Sequence, residues 1–170
     1  FRSPGSLGSR LGAIRQAAGQ GSSEAATKAL LDLAGRVRES DPYTAAALAL
    51  RAQFWAKAGE DAAAAVQLAQ DAMPGEPLVS RVAAETAIAA NDVVAAGVAL
   101  STWAASSAPA SERAYAAGRA AELDPARGAE LWALALEQDP GDDYAAAQLR
   151  TAHVAAEQTQ RAIEVDMRVA

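Results

Sequence analysis

The chain has 170 residues, 51% of them apolar, and no cysteine. This is length enough for one domain with a core, the apolar content argues against disorder, and without thiols there is no disulfide, thiolate metal site or cysteine nucleophile. A formal charge of −6 and a pI near 4.8 leave no basic footprint for nucleic-acid phosphates or anionic membrane surfaces.

Roughly three residues in ten are alanine, the side chain that loses least entropy in a helix. Val, Ile and Thr are scattered, so the composition predicts an all-α chain. No apolar run approaches the roughly 18 residues that span a bilayer. Residues 1–9 (FRSPGSLGS) are rich in Gly, Ser and Pro and have no h-region of a signal peptide. They read as a linker, an expression scar or the trimmed edge of a longer protein. Cytoplasm and periplasm fit equally.

A helical repeat domain is expected over 10–157. Its first pair is Leu7–Ala18, with Leu7, Leu11, Ile14 and Ala18 at helical spacing, and Ser23–Glu39, capped by Ser22 or Ser23. Pairs follow at Pro42–Ala58 with Asp61–Met73, Pro77–Ala90 with Asp92–Ser106, and Ala110–Leu123 with Pro125–Gln138, then a helix from Asp142 to at least Glu157. Short loops between these helices force neighbours antiparallel. Prolines suit first turns, where the missing N–H costs nothing. Asp41 and Asp124 precede such prolines as caps, whereas after Asp139-Pro140 the cap is expected a little later, with Asp142 and Asp143 marking the helix start. The tail 158–170 is either a capping helix or a strand, since Ile163, Val165, Met167 and Val169 alternate with charged residues while Ile163 and Met167 are also four apart.

The punctuation keeps a ruler. Pro42 and Pro74 are 74 − 42 = 32 apart, as are Pro77 and Pro109 (109 − 77 = 32), and Gly59, Asn91 and Asp124 follow at 32 and 33. That period is one helix–turn–helix unit plus its connection. One hairpin cannot bury its own apolar face, so hairpins stack. Trp55, Leu68, Leu100, Trp103, Leu131, Trp132 and Leu149 are the expected core anchors. The expected architecture is an α-solenoid of about four to five stacked antiparallel helix hairpins.

The stretch GAELWALALEQDP (Gly128–Pro140) has a small residue at Gly128, a large one at Trp132, a small one at Ala135 and a closing Pro140. Ala96, Leu100 and Trp103 take the corresponding places one repeat earlier, and Ala52, Trp55 and Ala84 fit the small and aromatic places of first helices. This pattern resembles the tetratricopeptide repeat, over roughly Asp41–Ala155. It departs at Trp103, where a small residue is expected, and at Arg51 and Ala83, where leucine is expected. The resemblance implies a groove lined by first helices. Carried over position by position, its lining is Gln53, Lys57, Leu78, Arg81, Glu85, Ile88 and Arg113. The lysine and asparagine clamp for chaperone C-terminal carboxylates is not recognisable here.

Little else carries chemistry. His153 is the only histidine, and although serines are plentiful no nucleophile-elbow motif accompanies any of them. Asp142 and Asp143 diverge by about 100° on a helix and do not face each other. GQGSSE (Gly19–Glu24) lacks the preceding strand and the Gly-Lys-Ser/Thr ending of a phosphate loop. The turns at Ala58–Asp61 and Ala90–Val93 are too short for calcium loops. No catalytic set, cofactor site or metal site is expected. The expected function is a non-enzymatic module that binds a protein or peptide. The alternatives are a spacer of a longer protein that stacks or adds a strand, with self-association, and a docking or regulatory domain of an enzyme whose catalytic part lies elsewhere.

Overall fold

A computed structural model describes residues 11, 12, 14–16, 23–57 and 59–169. The expected linker, Ser22 and most of the expected Leu7–Ala18 helix lie outside them. Residues 11, 12 and 14–16 are helical, and Ile14 is buried. The helices with full bounds are α1 Ser23–Val37, α2 Pro42–Ala56, α3 Glu60–Ala72, α4 Pro77–Ala89, α5 Val93–Ala104, α6 Ala110–Leu123, α7 Gly128–Gln138, α8 Asp143–Ala155 and α9 Thr159–Val169. A 3-10 turn, Pro125–Arg127, joins α6 to α7. The fold is all-α, an array of helix hairpins in which helices pack on their chain neighbours, as in an α-solenoid. No strand occurs among the described residues.

The tail is the helix of the two expected forms. Ala162 and Val165 are buried, while Ile163 and Met167 are exposed. The period-two alternation loses because α8 offers a helix face, and the buried pair three apart fits that face better than any one side of a strand would.

Two of the expected caps are made. Asp41 accepts from the Thr44 backbone N–H at 3.0 Å and Asp142 from that of Ala145 at 2.9 Å. Asp124 makes no such bond. It closes α6 through its backbone and opens the 3-10 turn, so Pro125 begins a tight turn and not an α-helix. Asp92 caps α5 through Ala95 at 3.0 Å.

The chain forms two compact units, Phe1–Pro74 with Glu85–Asn91, and Gly75–Ala84 with Asp92–Ala170. In the first, α1 packs on α2 and α2 on α3, burying Leu30 and Leu33 of α1, a largely alanine face of α2, and Ala62, Ala65, Val66 and Ala69 of α3. Arg38 and Asp71 close this unit with an exposed ion pair at 3.4 Å. Trp55 and Leu68, expected as anchors, are only half-buried. The Arg51 guanidinium lies over the Trp55 and Phe54 rings, 5.2 and 5.4 Å from their centroids. An arginine thus covers these aromatic faces.

In the second unit the anchors Leu100, Trp103, Leu131, Trp132 and Leu149 are buried. Between α5 and α7 lies α6, whose buried residues are Ala and Gly alone. Large side chains from second helices fill against small ones from first helices. The Trp132 ring lies 3.0 Å from where a Cβ on Gly118 would stand, so this helix contact needs glycine. Each tryptophan also meets a tyrosine edge-on across the next turn, Trp103 with Tyr115 at 5.8 Å and Trp132 with Tyr144 at 5.5 Å. Both pairs are 12 apart (115 − 103 and 144 − 132), so one device is used twice.

Candidate functional site

Helix α4 carries four of the expected groove residues. Leu78, Arg81, Glu85 and Ile88 form one helical stripe and are all exposed. Leu78 is 56% exposed, and the Arg81 guanidinium lies 5.9 Å from the Trp103 ring centroid. The other three stand differently. Gln53, half-buried on α2, donates from Nε2 to Thr86 Oγ1 at 3.0 Å, so its amide holds α4 to α2. Lys57 is exposed at the end of α2 with φ 62°, on a bend and not on a helix face. Arg113, on α6, is half-buried, and its Nε is enclosed without a hydrogen-bond partner among the described residues, as is Trp103 Nε1.

A larger concavity lies elsewhere. Both α7 and α9 pack on α8, and between them opens a cleft of about 710 Å³. Ala129, Ala133, Leu136, Leu149 and Val165 give it an apolar lining. Its charged groups are Glu130, Glu137 and Glu164 against Arg161. Arg127, reaching Glu130 at 2.8 Å, holds that carboxyl below its ordinary range through hydrogen bonding and then charge. His153 also lines the cleft, with Nδ1 3.0 Å from Gln158 Oε1, and Arg161 donates to the same oxygen at 3.4 Å. An amide oxygen accepts, so in this contact His153 Nδ1 is the donor. This is a binding arrangement, apolar inside with polar groups that can fix orientation. Among the described residues no group of three or more His, Asp or Glu is placed to hold a metal ion.

A second concavity of about 560 Å³ runs between α5 and α7 over α6. It takes Val93, Val94 and Val98 from α5, Ala120 and Leu123 from α6, and Leu131 from α7.

Sequence reasoning did not find either concavity. His153 reads as an ordinary exposed polar residue when α9 is not known to be helical. The valines of α5 look like core until α5 is seen to bury Ala96, Ala99, Leu100 and Trp103 and to turn the valines outward. The available signal was a helix with no charge anywhere on its circumference.

No known protein family and no curated protein matches the chain.

Proposed function

We propose that this chain is a non-enzymatic, tetratricopeptide-like interaction module that holds an amphipathic segment of a partner protein in the cleft between α7 and α9. The observation that carries this reading is the cleft's composition, an apolar lining edged by three carboxylates and one guanidinium. An apolar lining with excess negative charge suits a segment with an aliphatic seam flanked by lysine or arginine.

The test is a titration with a labelled synthetic helix-forming peptide, leucine along one face and lysine beside it, against the same peptide with glutamate for lysine. The lysine peptide binds and the glutamate peptide does not. Glu137→Lys combined with Glu164→Lys weakens binding about tenfold or more, and added salt weakens it too. Equal binding of both peptides, or of neither, overturns the cleft as the site.

The stripe on α4 supports a second docking surface, because Leu78 and Ile88 stand exposed beside charged residues. Substitution of Arg81 and Glu85 that leaves partner capture intact removes this second reading.

A further inference from the structure

The cleft between α7 and α9 is electrically uneven along its length. Short connections, 139–142 and 156–158, set α7 and α9 both antiparallel to α8 and so parallel to each other. Their first turns therefore share one end of the cleft with the last turn of α8. His153 stands in that last turn and Arg161 in the first turn of α9, and both donate to Gln158 Oε1, at 3.0 and 3.4 Å. This bond uses only one of the guanidinium's several N–H donors. Glu130, in the first turn of α7, is already matched by Arg127 at 2.8 Å. The charge left over at this end is positive, and the first backbone N–H groups of α7 and α9 add to it.

Further along, the sign reverses. Glu164 lies one turn beyond Arg161 on α9. Glu137 lies 137 − 130 = 7 residues beyond Glu130 on α7, about 10 Å along the axis, at the C-terminal end of that helix. Neither carboxylate has an ion-pair partner among the described residues. The apolar lining between them, Leu136, Leu149 and Val165, supplies adhesion but cannot tell one end of a ligand from the other.

We infer that the cleft selects the direction of its ligand: it takes a helical segment that runs antiparallel to α7 and α9, with an acidic residue in the segment's last turn and lysines in the turns before it. The inference rests on the cleft being the docking site proposed above. The acidic residue meets Arg161, and the lysines meet Glu164 and Glu137. In this direction the segment's C-terminal carbonyls fall beside the N-terminal ends of α7 and α9, where opposite partial charges attract. Turned round, the same segment sets lysine against Arg161, leaves Glu137 unmatched and brings like helix ends together.

The probe is a synthetic helix of about 18 residues, about 27 Å long, with a leucine seam, lysines in its middle turns and glutamate in its last turn. A companion carries glutamine in place of that glutamate, and both are amidated so that no terminal carboxylate competes. Titrated against the whole chain, the acid-tipped peptide binds about fivefold tighter than the glutamine-tipped one. An acid at a helix C-terminus weakens the free helix, so the gain does not come from helicity. Arg161→Gln removes the difference with the circular dichroism unchanged, and Arg161→Lys keeps part of it. Direction is read at His153, whose ring gives a single imidazole signal in the proton NMR spectrum because it is the only histidine. A nitroxide at the peptide's C-terminus broadens that signal strongly, and one at its N-terminus broadens it weakly. Equal affinity of the two peptides, a difference that survives Arg161→Gln, or equal broadening from either end overturns the inference while the cleft stands. Failure of both peptides to bind overturns the cleft itself, and the inference with it.

Discussion

Two glycines show how one residue type serves opposite ends. At Gly118 an added methyl would meet the Trp132 ring at 3.0 Å, and that ring is itself buried with Tyr144 edge-on to it. The ring has little room to give, so Gly118→Ala loses more to overpacking than it gains in helix propensity. A net loss of about 1 kcal/mol is expected in urea unfolding. At Gly97 the methyl meets nothing within 4 Å among the described residues, and the protein gains about 0.5–1 kcal/mol from the same change. Asp41 gives a pH signature. Hydrogen bonds from the Thr44 side chain and then from its backbone N–H hold the carboxyl below its ordinary value of 3.8. A depressed folded value means that the cap's ionic contribution is complete above that ordinary value and is lost as pH falls through the folded one. The stability difference between the protein and Asp41→Ala is therefore full at neutral pH and shrinks in acid below about 3.8, which thermal melts across pH will show. Asp41 was readable from Asp-Pro alone, because a cap is a local device. Asp124 carries the same dipeptide and does not cap, because Pro125 starts a 3-10 turn leading straight into α7.

At the scale of the helix, the periodic punctuation was enough to place α2 to α8 within a residue or three, since proline, glycine and aspartate act on their own backbone. Burial was less legible. Leu100, Trp103, Leu131, Trp132 and Leu149 are buried, but Trp55 and Leu68 are only half-buried, since helical spacing does not say how far a neighbouring side chain covers a large residue. The tyrosines at 115 and 144 gave no sequence signal of their own, for an edge-on contact between successive helices has no periodicity to read. Trp132 now carries contacts to Gly118 and Tyr144 as well as its own buried area. Trp132→Ala is expected to cost about 3–5 kcal/mol in denaturant unfolding. Of the expected groove residues, the α4 stripe lies together on one helix face, whereas Gln53 is used in an internal hydrogen bond and Lys57 lies on a bend. Position in a repeat predicts which face a residue shares, but not whether a neighbour has already taken its polar atoms.

Within each unit, helices meet mainly those next to them in sequence. Stability in such an array is close to a sum of local and nearest-neighbour contributions, so damage at one end need not spread. A chain ending at Glu157 loses α9 and with it one wall of the cleft. It is expected to keep the circular dichroism of the remaining helices and to bind none of the lysine peptide. The exposed ion pairs Lys28–Glu24, Arg36–Asp32 and Arg127–Glu130 join residues within one helix or turn, so they do little to fix one helix on another.

The placement of the three tryptophans supplies built-in optical reporters. Trp55 lies in the first unit, half-exposed under a guanidinium, whereas Trp103 and Trp132 lie shielded in the second. A soluble quencher should dim the first and spare the other two, so emission from the native protein and from Trp55→Phe can time the melting of each half without any added dye.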